Sequence, residues 1–156
     1  MKDRLKVLSI GAGAIGTYIG GSLAFRGHSV VFVERPEVTA ELISRGLRLR
    51  IGEVESQIRH PRVVATVAGA LKTEDFDVVL YALKSFDTAS FIQSNASLSA
   101  SLPPILCLSN GVDNEPTLET AFGPGKVIAG TVTSAIRRLD AGDIVLERLR
   151  GVGVAA

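Results

Sequence analysis

Residues 5–34 read LKVLSIGAGAIGTYIGGSLAFRGHSVVFVE, and three physical patterns follow one another within them. Leu5 to Ile10 is a nearly continuous apolar run that stops at glycine, as expected of a strand buried on both faces of a parallel sheet. Ala14 to Arg26 places Ile15, Ile19, Ser22 and Leu23 at helical spacing, with Gly27 as a stop. Ser29 to Glu34 is a second buried strand. Pro36 then suits the first turn of a helix running through Ser44, closed by Gly46. The order β-α-β-α predicts a Rossmann-like, doubly wound α/β fold with a mostly parallel sheet.

The same stretch raises a membrane question. Val7 to Phe25 carries no charge, and Gly16-x-x-x-Gly20 matches a transmembrane packing motif. Glycines at 11, 13, 16, 20 and 21, with Ser9, Thr17, Tyr18 and Ser22, dilute it, so a soluble core segment is expected and no membrane partner.

Further along, Leu47 to Ile51 alternates apolar and basic residues, which reads as an exposed strand in a hairpin with Val54 to Arg59. Strands are expected at Val63 to Val67, Asp77 to Leu83 and Pro104 to Ser109. Helices are expected from Ser85 to about Leu98 and from Asn114 to Phe122. The last third adds strands at Val127 to Ile136, Asp143 to Glu147 and Gly151 to Ala156, with a turn at Asp140-Ala-Gly142. An ending inside an apolar strand suggests a truncated chain.

Composition narrows the function. The 156 residues hold 17 Lys and Arg against 16 Asp and Glu, a net charge of +1, which offers nothing to nucleic acid or an anionic membrane. Hydrophobic residues make up 46%, enough for one well-buried core. The single cysteine, Cys107, excludes an internal disulfide and suits a reducing cytoplasm. His28 and His60 are not spaced with carboxylates as a metal site, so no metal is expected.

Gly11-Ala12-Gly13-Ala14-Ile15-Gly16 is G-x-G-x-x-G placed after a buried strand and at the opening of a helix, the context in which it binds a dinucleotide. Gly11 permits the tight turn, Gly13 lets a pyrophosphate approach the backbone, and Gly16 lets helix and sheet pack closely. Glu34, 18 residues after Gly16, stands where an acid accepts hydrogen bonds from the adenosine ribose, the NAD signature. Arg35 follows at once and suits a 2′-phosphate, the NADP signature. The residues leave both readings open. Lys84 and Asn110 also stand at strand C-termini, converging on the edge where the nicotinamide is expected.

Taken together, GAGAIG (11–16), Glu34-Arg35-Pro36, Leu83-Lys84-Ser85, Leu108-Ser-Asn-Gly111 and Gly130-Thr-Val-Thr-Ser-Ala-Ile-Arg-Arg138 resemble the ketopantoate reductase (2-dehydropantoate 2-reductase) family in order and spacing. The resemblance implies NADP(H)-dependent reduction of a 2-keto acid to a 2-hydroxy acid, ketopantoate to pantoate in pantothenate and coenzyme A synthesis being the named case. It places the glycine loop on the pyrophosphate, Arg35 on the 2′-phosphate, Lys84 and Asn110 by the nicotinamide as catalytic residues, Asn110 also on substrate, and the backbone of Ile136 along the cofactor. It also implies a second, helical domain that supplies the proton-donating lysine and most substrate contacts. Residues 1–156 are therefore expected to be the dinucleotide-binding domain alone, with little turnover, and with apolar surface that favours a homo-oligomer. Glu34 is acidic where the family commonly has a small or apolar residue, and Asp113 stands where a glycine is common. The competing readings are a non-catalytic NAD(H)-binding sensor module, which has no need of Lys84 and Asn110, and a dehydrogenase of the hydroxyisobutyrate type, whose next motifs differ.

Overall fold

The computed structural model describes residues 3–155, and among them eleven strands and five α-helices are found. The opening follows the hydrophobic pattern: β1 (Lys6–Ile10), α1 (Ala14–Phe25), β2 (Ser29–Val33) and α2 (Pro36–Arg45). Then come β3 (Leu47–Ile51), β4 (Val54–Ile58), β5 (Arg62–Val64), α3 (Val67–Leu71) and β6 (Val78–Tyr81). A single 3-10 turn at Ser85–Asp87 leads into α4 (Thr88–Asn95), followed by β7 (Ile105–Cys107) and α5 (Asn114–Phe122). The chain closes with β8 (Val127–Val132), β9 (Ala135–Asp140), β10 (Asp143–Arg148) and β11 (Val152–Ala155).

Seven strands form the main sheet in the order β11-β8-β7-β6-β1-β2-β5, parallel except where β11 meets β8. Ile10 lies in register with both Val33 and Tyr81, so β1, β2 and β6 end at one edge. The order reverses between β1 and β6, which opens a crevice at that edge. Successive residues of β1 serve opposite cores. Val7 packs with Phe32, Leu42, Leu49 and Ile144, whereas Leu8 packs with Tyr81, Phe91, Leu118 and Phe122. Each fully buried side chain of this size contributes about 1.5–3 kcal/mol. Cys107 belongs to the second of these cores, where burial pushes its thiol up to about 11 and keeps it protonated.

A second sheet, in the order β4-β3-β10-β9, covers the outer side of α1. The expectation of an exposed strand at Leu47 to Ile51 is corrected here, because Leu47 and Leu49 are fully buried. Only the other face of β3 is polar, with Arg50 bonded to Glu55 and Asp143 at 3.0 and 2.9 Å. α1 is thus enclosed by two sheets. A Cβ at Gly20 would stand 2.8 Å from Phe32 of the main sheet, and one at Gly21 would stand 3.0 Å from Leu49 of the second. The uncharged run 7–25 and its Gly16-x-x-x-Gly20 spacing reflect this double burial. No helix among the described residues is long and apolar enough to cross a membrane.

Three further expectations shift. The run Val127 to Ile136 is two strands in different sheets. Ser134 divides them, its hydroxyl accepting from the N–H groups of Arg150 and Gly151 at 3.0 and 3.1 Å. Val67 begins a helix instead of ending a strand, because Thr66 caps it through a bond from the Gly69 N–H at 3.0 Å. The segment from Ser85 to Leu98 is broken into 3-10, α and 3-10 turns. Ala156, the last residue of the expected final strand, lies outside the described residues.

Candidate active site

At the C-terminal end of β1 the chain turns at Gly11, whose φ of +94° lies in the region that favours glycine. Its N–H donates to the Val33 carbonyl at 2.9 Å, while the Ser9 and Thr17 hydroxyls donate to the carbonyls of Gly11 and Ala12 at 3.2 and 2.9 Å. The loop carbonyls are thereby engaged inward. α1 starts with Gly13 as its N-cap, with no side-chain cap and no acidic residue in its first turn. Its first N–H groups keep their donor capacity, and the helix dipole adds positive potential there.

The glycines differ in what they do. At Gly16 a Cβ would sit 2.0 Å from the Gly11 carbonyl oxygen, so this position is fixed by the loop folding back on the helix. Gly13 has φ −74°, open to any residue, and a Cβ there would meet nothing within 4 Å. Neither backbone nor packing demands glycine at 13. What its missing side chain leaves is open space in a cleft of about 660 Å³. An uncapped helix start facing open space fits the pyrophosphate of a dinucleotide.

The cleft joins most of the residues singled out from the sequence. Gly11, Gly13, Ala14, Ile15, Glu34, Arg35, Lys84 and Asn110 all line it. Ala12 is 2% exposed and lies behind the loop, with Gly16 buried beneath it. Ile136 is not among the lining residues; it packs into the core between α1 and the second sheet. Arg138, two positions further along β9, lines the cleft instead. Asp113 precedes α5 as its N-cap residue, outside the lining.

At the β2 end, the Glu34 carboxylate accepts from the Ala12 N–H at 2.9 Å through Oε2 and from the Arg35 N–H at 3.1 Å through Oε1. It is therefore held at the edge of the loop, with 16% of its side chain exposed. The Arg35 side chain is 73% exposed, and its Nε lies 3.9 Å from Glu34 and 3.8 Å from Glu37. Its charge is shared between two carboxylates.

At the other end, the loops after β6 and β7 are tied together. The Leu108 N–H donates to the Tyr81 carbonyl at 2.9 Å, and the Ser109 hydroxyl to the Leu83 carbonyl at 2.7 Å. The Ser85 hydroxyl donates to the Asn110 carbonyl. Lys84 and Asn110 are exposed on these tied loops, where an ammonium and an amide can orient a carboxylate or a carbonyl. Sequence reasoning missed Arg138 as a lining residue and Asn114 beneath the loops. Arg138 shares the face of β9 that carries Ile136, and this alternation was the available signal.

His28 serves the opposite end of the sheet, its Nδ1 accepting from the Leu5 N–H at 3.2 Å. Among the described residues no group of three or more His, Cys, Asp or Glu side chains is placed to hold a metal ion.

Residues 7–154 match the profile of the family described as ketopantoate reductase PanE/ApbA. The chain belongs to the ketopantoate reductase family. Its relatives include the 2-dehydropantoate 2-reductase of Archaeoglobus fulgidus, 29% identical over 140 residues, covering 90% of this chain and 43% of that protein. Among solved structures, a PanE/ApbA family ketopantoate reductase from Ralstonia eutropha JMP134 superposes with a TM-score of 0.80 at 29% identity, over 96% of this chain and 49% of that one. The 2-dehydropantoate 2-reductase of Geobacter metallireducens GS-15 gives 0.77 at 27% identity, over 96% and 48%. This ketopantoate reductase family chain spans about half the length of these relatives, and the part it shares with them is the Rossmann-like domain described above.

Proposed function

We propose that this chain is the dinucleotide-binding domain of a cytoplasmic oxidoreductase that reduces a 2-keto acid to a 2-hydroxy acid, with 2-dehydropantoate as the substrate and pantoate as the product. The observation that carries the proposal is the open space left at Gly13 beside the uncapped start of α1, in one cleft with Lys84 and Asn110. The bound nicotinamide dinucleotide supplies the hydride. Lys84 neutralises the substrate carboxylate or polarises the keto oxygen, and the Asn110 amide donates a hydrogen bond that fixes the substrate's orientation. The proton that completes reduction comes from a second domain of the kind the relatives' length allows. The domain alone binds dinucleotide and turns over little.

Between the two dinucleotides, the family resemblance implies NADP(H) through Arg35. The geometry at the end of β2 favours NAD(H). Glu34 is fixed as an acceptor at the cleft, and Arg35 is partly neutralised by two acids. Calorimetric titration with NADH and NADPH tests both levels. Binding of at least one supports the dinucleotide site, and binding of neither overturns it. Rapid 2-dehydropantoate-dependent oxidation by residues 1–156 alone overturns the assignment of the proton donor to another domain.

A further inference from the structure

Beneath the Lys84 and Asn110 loops lies a run of buried polar groups. Tyr81, Thr88 and Asn114 are 0%, 4% and 5% exposed. The Tyr81 hydroxyl, pushed up to about 12 by burial and so protonated, donates to Thr88 Oγ1 at 2.9 Å. The Thr88 hydroxyl donates to Asn114 Oδ1 at 3.0 Å. The Asn114 Nδ2 group then donates twice, to Ser85 Oγ at 3.2 Å and to the Asn110 carbonyl at 2.9 Å.

The amide orientation follows from this pattern. Reversed, Asn114 would place its oxygen against the Asn110 carbonyl, acceptor facing acceptor, with no proton between them. Thr88 on one side and Asn110 on the other therefore permit one orientation. Gly111 makes room for it, since a Cβ there would stand 2.9 Å from both Asn114 Nδ2 and Ser85 Oγ. Asn114 thus adds a buried joint to the direct ties between the two loops, one carrying Lys84 and the other Asn110.

We propose that Asn114 is a positioning residue for the hydride-transfer end of the cleft. Its buried amide holds the backbone of Asn110 and the hydroxyl next to Lys84, so that both side chains are presented to nicotinamide and substrate in one arrangement. Asn114 itself does not line the cleft. The proposal rests on the reading of the cleft as a nicotinamide dinucleotide site.

The test compares NADH with ADP-ribose, which fills the pyrophosphate and ribose positions and lacks the nicotinamide. Asn114→Asp keeps the acceptor for Thr88 and removes both donors. It should lower NADH affinity about tenfold and leave ADP-ribose affinity unchanged. Nicotinamide fluorescence of bound NADH should shift toward that of free NADH. Ser85→Ala, at an exposed position, removes the bond from Asn114 and the bond to the Asn110 carbonyl, leaves Asn114 bonded to that carbonyl, creates no buried charge and should give a smaller loss of the same selectivity. Equal losses for both ligands in both variants would mark the network as structural only and overturn the proposal. So would unchanged NADH binding, or a wild-type chain that binds NADH no more tightly than ADP-ribose. Failure of the wild-type chain to bind either ligand overturns the dinucleotide reading itself, and this proposal with it.

Discussion

Replacing Glu34 with glutamine removes one charge from the β2 end of the cleft and keeps the shape and an acceptor for the Ala12 N–H. The carboxylate is anchored by N–H donors at 2.9 and 3.1 Å, so it cannot swing clear of an incoming group without losing both bonds. A 2′-phosphate carries about −1.5 to −2 charge at neutral pH. Placed about 4 Å from the carboxylate, it meets a repulsion of about 1 kcal/mol per charge pair in water and about 4 kcal/mol at the effective dielectric near a protein surface. Arg35 offsets part of this, but Glu37 competes for its guanidinium, and the three side chains together sum to one negative charge. Solvent reaches this end of the cleft, so the low end of the range applies: about 2 kcal/mol against NADPH, or about thirtyfold in affinity. In Glu34→Gln most of that discrimination should vanish. NADPH binding should tighten more than tenfold, while NADH weakens about fivefold as a charge-assisted bond becomes a neutral one. Calorimetry at about 0.1 M ionic strength reads both constants, and added salt should compress the wild-type difference. A wild-type chain that prefers NADPH, or a variant with an unchanged ratio, refutes the electrostatic argument.

The glycine loop makes a paired prediction: Gly13→Ala should leave the melting temperature nearly unchanged yet lower dinucleotide affinity at least about tenfold, whereas Gly16→Ala should lose about 1–3 kcal/mol of stability or more. Similar effects in the two variants, read by thermal melting and titration, would contradict the division of labour between these glycines. In an enzyme containing this domain, Lys84→Ala should lower kcat/KM for the keto acid with no change in melting temperature, and unchanged activity would leave Lys84 a solvated surface charge. Arg45 and the Ala141 N–H hold Asp140 below its usual carboxylate value. Because the folded value is lowered, the contribution to stability is complete above about pH 4 and is lost as pH falls through the lowered value. Asp140→Asn should therefore reduce stability at neutral pH and flatten the acid limb of the melting-temperature profile, and parallel profiles would refute the sign. On the β11 side, Leu149, Val152 and Val154 are 71%, 46% and 62% exposed, and we expect self-association at high concentration; a strictly monomeric sedimentation profile would contradict it.

What the sequence disclosed and what it hid divide along the range of the interactions involved. The β1-α1-β2 unit was legible because each element states its own burial, and its glycine loop lies within a single turn of chain. Glu34, Lys84 and Asn110 were legible for a related reason: each ends a parallel strand, and parallel strands end at one edge. Leu47 and Leu49 were misread because alternation shows which residues share a face and not what covers it. The covering surface was signalled elsewhere. A helix with no charge from Ala14 to Phe25 and adjacent glycines at 20 and 21 has no face suited to water, so something had to lie on its outer side. That unmet demand is what the hairpin and β9-β10 satisfy. Arg138 and Asn114 were hidden for the same reason, since each reaches the site through a pairing distant in sequence. Arg138 arrives because Ser134 turns the chain from the main sheet into the second one, and Asn114 because α5 packs beneath a loop 29 residues earlier. The second sheet therefore bears on the site directly. By burying the far side of α1 it fixes the helix whose N-terminus faces the cleft, and through β9 it adds a cation to the cleft wall.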